Sequence, residues 1–135
     1  MENTNNNNMN ITKEKFCELF YLSLCDGLHY FSAYGLDFSY NNEDYIKAKR
    51  YFNFENDDLI CWQDVIMKML ELKLPVSIID EETGEYDVLL DIDKLYSNVH
   101  LVPLHNIVNI IEENYDAEDC DVFLQSVFFK EVVFC

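Results

Sequence analysis

The feature that most constrains the fold is a change of hydrophobic period at Pro75. Upstream of it, Trp62, Val65, Ile66, Met69 and Leu72 recur at helical spacing, with Asp64, Lys68 and Glu71 on the opposite face. Downstream, Val76 to Asp80 and Glu85 to Leu90 read as a β-hairpin around Glu82-Thr83-Gly84, where Gly84 can take a positive φ. A chain that carries both periods has to pack helices against strands, so the expected class is α+β. A two-stranded sheet alone is marginal in water. The β-branched and aromatic tail, residues 131–135, is the expected third strand. The predicted architecture is therefore five to six short helices on a small antiparallel sheet, built from hairpin 76–90 plus a C-terminal strand 131–135.

Other helices are marked by caps and stripes. Thr12 can cap a helix to about Cys25, with Phe16, Leu19, Phe20 and Leu24 on one face. Residues 28–40 are ambiguous: Leu28, Tyr30, Tyr34, Leu36, Phe38 and Tyr40 share one parity, yet a short helix at the start also fits. Asn42 is read as the cap of a helix over 43–53, and Asn56 or Asp57 as the start of the strong helix that runs to about Lys73. Asp91 caps a turn through Tyr96, Pro103 suits the first position of a helix to about Glu113, and Asp116 caps the last. On that last helix Cys120, Phe123, Leu124, Val127 and Phe128 are periodic, and with Trp62, Val65, Ile66 and Met69 they form the expected core. Residues 1–10 are polar, Asn-rich and expected to be disordered, with Met9 as an alternative start. Residues 11–135 are expected to make one acidic domain.

Charge narrows the function classes. There are 26 acids against 9 bases, a net charge of -17. Such a chain repels nucleic acid and anionic membrane surfaces and attracts basic partners or cations. Residues 1–75 hold 12 acids and 7 bases, whereas residues 76–135 hold 14 acids and only Lys94 and Lys130. The second half is the better candidate for an electrostatic interface. Five widely spaced cysteines (Cys17, Cys25, Cys61, Cys120, Cys135), without a C-x-x-C pair, suit a reducing cytoplasm, most of them acting as small hydrophobes. The N-terminus has no apolar h-region, and no run of about 18 apolar residues could span a membrane.

No catalytic, metal or cofactor motif is recognisable, and no cofactor is expected. Asp91-x-Asp93 begins like a calcium loop, but the next ligand position holds Leu95 and the required Gly is missing. His29, His100 and His105 lack zinc spacing. Cys25, Asp26 and His29 could be drawn as a nucleophilic site, yet no signature surrounds them, and packing explains Cys25 better. Lys47, Lys49 and Arg50 are the only basic cluster, embedded in negative charge, and read as an ordinary solvated helix face.

The acids themselves are harder to dismiss. Asp80, Glu81, Glu82, Glu85 and Asp87 crowd the hairpin, and Glu112, Glu113, Asp116, Glu118, Asp119 and Asp121 follow. A helix N-terminus accounts for the last four, but Glu112 and Glu113 stand at a helix C-terminus, where the dipole opposes them. Hairpin-tip solubility is one reading. The other is partner binding by Asp80, Glu81, Glu82, Glu85, Asp87, Glu112, Glu113, Glu118 and Asp119, carboxylates imitating the phosphate track that a basic groove expects.

Several stretches carry a resemblance: Asp26-Gly27-Leu28-His29-Tyr30, Asp44-Tyr45-Ile46-Lys47-Ala48-Lys49, Cys61-Trp62-Gln63-Asp64-Val65, Asp80-Glu81-Glu82, and the tail from Leu124-Gln125 through Phe129-Lys130-Glu131-Val132-Val133-Phe134. Together they resemble a family of small acidic proteins associated with phages and mobile elements of gut bacteria. The family has no established activity, so the resemblance implies no functional residue. This chain departs from it at Lys130, where the family has Gly in a Phe-Gly-Glu turn. The resemblance implies a phage-type accessory protein. The expected function is non-enzymatic: an anti-defence inhibitor, such as an anti-CRISPR or anti-restriction protein, occupying a basic nucleic-acid-binding surface of a host protein. A structural or assembly protein acting by self-association through Tyr30, Tyr34 and Tyr40, as a homodimer for example, is the alternative. A small ligand-binding module or enzyme using residues 28–45 is a weaker one.

Overall fold

The computed structural model describes residues 10–52 and 59–135. Residues 1–9, Met9 included, and Asn56 and Asp57 lie outside the described residues. Among those described, seven α-helices accompany one three-stranded antiparallel sheet, so the class is α+β. The chain forms two compact units, one of Met1–Tyr34 with Asp93–Cys135, the other of Gly35–Ile92.

The first unit is helical: α1 (Lys13–Asp26), α2 (Phe31–Tyr34), α5 (Ile92–Ser97) from its second residue on, a 3-10 turn (Val99–Leu101), α6 (Leu104–Ile111) and α7 (Ala117–Phe129). Thr12 caps α1 by accepting a hydrogen bond from the Lys15 N–H at 3.0 Å. Asp116 caps α7 and closes a capping box with Asp119. Helices α1 and α6 and the 3-10 turn all pack on α7. Their meeting surface is aromatic: Phe16 lies 5.7 Å from Phe20 and 6.0 Å from Phe123, and Phe20 meets Phe128 edge-on at 5.9 Å. At the close end, a methyl group on Gly27 would come within 2.7 Å of the Cys120 Cβ, so only glycine fits there.

The second unit runs β1 (Leu36–Tyr40), α3 (Asn42–Lys49), α4 (Trp62–Glu71), β2 (Val76–Asp80) and β3 (Val88–Leu89), in sheet order β1-β2-β3. The expected hairpin is present, pairing Ser77 with Leu89 and Ile78 with Val88. The third strand is a correction. It is β1, aligned from Leu36 opposite Asp80 to Tyr40 opposite Val76, and not residues 131–135. The ambiguous stretch 28–40 thus holds both alternatives in turn, helix α2 and then strand β1, with Gly35 at φ 79 between them. The strand's parity is as read: Leu36 is buried, Asp37 and Ser39 are exposed.

Boundaries also move. Asn41, not Asn42, caps α3, accepting from the Glu43 N–H at 2.7 Å. Helix α4 begins only at Trp62, where Cys61 and Asp64 form the capping box. The expected core divides between the two units. Phe123, Leu124, Val127 and Phe128 are buried in the first; Val65, Ile66 and Met69 are buried in the second. Trp62 is half-buried and donates its indole N–H to Tyr40 Oη at 3.0 Å. Of the cysteines, only Cys120 is buried; Cys25, Cys61 and Cys135 are exposed, against the expectation that most would be packed.

Candidate interaction surface

The hairpin turn is organised by one carboxylate. Asp80, at the end of β2, is 6% exposed. Its Oδ1 accepts from the Glu82 and Thr83 N–H groups at 3.1 and 3.2 Å, and its Oδ2 accepts from Thr83 Oγ1 at 2.5 Å and the Tyr86 N–H at 3.4 Å. The Thr83 hydroxyl and these N–H groups hold it below the usual aspartate range. Asp87 accepts from the Asp80 N–H at 2.6 Å and so closes the loop from the other side. Gly84, at φ 74, makes the reversal. This scaffold leaves Glu81, Glu82 and Glu85 exposed at the tip.

The second acidic group lies where α6 hands over to α7. Glu112 ends α6, Glu113 takes the left-handed conformation at φ 57, and the Asn114 N–H closes on the Asn109 carbonyl at 2.8 Å. Glu112, Glu113 and Glu118 are exposed. Asp119 is buried. Burial opposes its charge, but the Asn106 amide at 2.7 Å, the Asp116 N–H at 3.1 Å and the Asn109 amide at 3.2 Å keep its carboxyl below the ordinary value.

The nine proposed contact residues therefore separate. Asp80 and Asp119 are corrected from contact residues to internal hydrogen-bond hubs, because their oxygens are already engaged and hidden from solvent. Asp87 is exposed but has one oxygen on the Asp80 N–H. Glu81, Glu82 and Glu85 remain available in the second unit, and Glu112, Glu113 and Glu118 in the first. The ion pairs among the described residues, Lys13–Asp93, Lys15–Glu18, Lys68–Glu71 and Lys73–Asp91, involve none of these six.

Glu113 also borders a shallow hollow of about 460 Å³ with Asp26, His29, Tyr115 and Asp116. Tyr115 Oη donates to Asp26 Oδ2 at 2.9 Å; this bond, with burial, pushes the phenol up to about 12. The hollow thus presents carboxylates from α1, from the end of α6 and from the cap of α7, with a fixed phenol beside them. Asp26 here serves Tyr115, and the His29 ring lies 6.5 Å from that of Tyr30. Burial raises the Cys120 thiol to about 12, so it stays protonated and unreactive. No group of His, Cys, Asp and Glu among the described residues is arranged to hold a metal ion. No helix among them is long and apolar enough to cross a membrane.

The tyrosines read as an assembly surface are largely engaged. Tyr34 Oη donates to Asp121 Oδ2 at 2.9 Å, and Tyr40 accepts from Trp62 and stacks on Tyr45 at 5.4 Å. Tyr30 is exposed. Sequence reasoning missed a polar cluster on the far side of α7. Asp121 and Gln125 are buried there, among residues that a single apolar stripe would have left in water. The missed signal is the sequence Asp121-x-x-x-Gln125, two hydrogen-bonding side chains one turn apart on a helix too apolar to be a surface one. A second concavity, of about 410 Å³, is lined by Ile11, Tyr96, Val99, His100, Leu104 and Ile107 among others.

No protein-family model matches this chain, and no curated protein or solved structure matches it.

Proposed function

We propose that this chain is a non-enzymatic interaction protein that occupies a basic, nucleic-acid-binding surface of a host protein, in the manner of a phage-type anti-defence inhibitor. The observation that carries the reading is the acidic hollow beside Glu113. Asp26, Glu113 and Asp116 face one concavity with the Tyr115 ring at its side, a shape that suits an inserted Arg or Lys. Glu112 and Glu118 flank it in sequence, and Glu81, Glu82 and Glu85 add a second exposed group on the other unit. Exposed, unpaired carboxylates attract a basic groove over about one Debye length and speed encounter.

The test is capture on the immobilised chain from lysate of its host, comparing the parent with Glu112→Lys/Glu113→Lys and Glu81→Lys/Glu82→Lys. The reading expects a nucleic-acid-binding protein that the parent retains, that competing DNA or RNA releases, and that the Glu112/Glu113 reversal loses. Retention by both reversals, indifferent to competing nucleic acid, would overturn it.

A further inference from the structure

The C-terminal tail is held by a buried side chain rather than by a neighbouring strand. Gln125 is fully buried. Its Oε1 accepts from the Val133 and Phe134 N–H groups, each at 2.9 Å, and its Nε2 donates to the Phe134 carbonyl at 3.0 Å. The amide orientation follows from chemistry, since only an oxygen can accept from two N–H groups. Asp121 Oδ2 accepts the second Nε2 proton at 3.1 Å and also the Tyr34 hydroxyl. The Phe134 ring stacks on Tyr34 at 5.0 Å and 19° and meets Phe129 edge-on at 6.1 Å. One primary amide therefore holds the backbone of a Val-Phe dipeptide, whose two successive N–H groups converge on its oxygen, and two rings hold the aromatic side chain.

The connection to this dipeptide is short and strained. Lys130 ends α7 at φ 71, a left-handed conformation that residues with a Cβ avoid. Glu131 and Val132 are exposed, Val132 at 45%. We propose that the Gln125 amide and the Tyr34–Phe129 cleft form a receptor for the Val133-Phe134 segment, filled within one chain by its own tail and, between copies, by the tail of a second chain. The occupant in trans is identical to the one in cis, so exchange recovers the same bonds and relieves the left-handed residue. It also lets the exposed Val132 side chains be covered at the crossing. Three extended residues reach about 10 Å, so the two α7 ends must lie side by side about a two-fold axis, which is the geometry of a closed, swapped dimer.

The test uses the full chain with substitutions at the hinge. Lys130→Val places a β-branched residue where the left-handed region is least accessible. It should lower the concentration at which dimers form by about tenfold, as read by light scattering on a sizing column. Lys130→Gly should raise it. Adding Gln125→Leu to Lys130→Val should return the chain to monomer with its far-ultraviolet dichroism retained, and an excess of a synthetic peptide of residues 130–135 should disperse the dimer. Light and isotopically heavy Lys130→Val chains should form mixed dimers in native mass spectra. The inference is overturned if Lys130→Val stays monomeric at millimolar concentration, or if its dimer ignores both Gln125→Leu and the peptide.

Discussion

Two buried carboxylates on one helix, Asp119 and Asp121, are pushed in opposite directions by their surroundings. Asp121 is raised, first by burial; the hydrogen bonds from Tyr34 and Gln125 act the other way but meet only Oδ2, and Oδ1 is buried with no partner among the described residues. Asp119 is also buried, but two asparagine amides and the Asp116 N–H hold it low. Linkage converts these directions into opposite slopes. A raised folded value means stability that is fully present below the ordinary aspartate pKa and lost as pH rises through the folded one. A lowered value means stability present above the ordinary pKa and lost as pH falls through the folded one. As pH rises out of the acid range, the melting-temperature difference between Asp121→Asn and the parent should therefore move in favour of the variant. For Asp119→Asn it should move in favour of the parent. Thermal melts of the three proteins across the acid range check both signs, and parallel curves would refute them. Neither environment is legible locally. Asp119 looks like an ordinary first-turn acid, and only the fold supplies Asn106, Tyr34 and the enclosure that separate the two.

At the level of elements, α7 organises the first unit, and its packing predicts costs of two kinds. Phe123 is fully buried against Phe16, so Phe123→Ala should destabilise by roughly 3–5 kcal/mol through lost transfer energy and cavity. Gly27→Ala adds atoms where α1 closes on α7, within 2.7 Å of Ser23 O and Cys120 Cβ, and should cost about 1–3 kcal/mol by overpacking. Urea titrations measure both; a neutral Gly27→Ala would mean that α1 can slide away from α7. The elements that the sequence made visible are those whose signals are local. Thr12 and Asp116 announce their helices because a cap is an acceptor two or three residues from its donor. The hairpin is visible because Gly84 and Asp80 build its turn from within. The partner of β2 was hidden because Leu36 and Asp80 are brought together across two helices, and no nearest-neighbour signal encodes that register. Strand composition at the tail misleads for a related reason. Val132 and Val133 have strand composition, but the backbone at Val133 and Phe134 is satisfied by the Gln125 side chain, a solution that strand propensity cannot distinguish from a sheet.

For the whole molecule, folding changes where the charge lies. Along the chain the acids gather after residue 75, yet the unit Gly35–Ile92 contains 14 acids and 5 bases, and the rest of the chain 12 acids and 4 bases. Each unit is therefore strongly negative, and the linear asymmetry that singled out the second half disappears. What separates useful acids from the others is engagement. Asp80 and Asp119 hold loops and caps, while Glu81, Glu82, Glu85, Glu112, Glu113 and Glu118 stand in water outside the ion pairs of the described residues. This partition makes the charge reading sharper than a total of -17 could. If exposed carboxylates guide a basic partner, association should slow steeply as salt is raised from 0.01 M-type to 0.15 M-type ionic strength, because the Debye length shortens from about 30 to about 8 Å. Exposed charges act mainly on encounter, so Glu81→Lys/Glu82→Lys should lower the on-rate with little change in the off-rate. Glu112→Lys/Glu113→Lys also places a cation at the hollow shared by Asp26 and Asp116, and should raise the off-rate as well by excluding the inserted basic side chain. Assembly through aromatics predicts the reverse: indifference to both reversals and a large loss on replacing the exposed Tyr30. Surface-binding kinetics on a captured partner at several salt concentrations separate the two, and a salt-independent on-rate with unchanged off-rates for both reversals would leave the carboxylates as solvation alone.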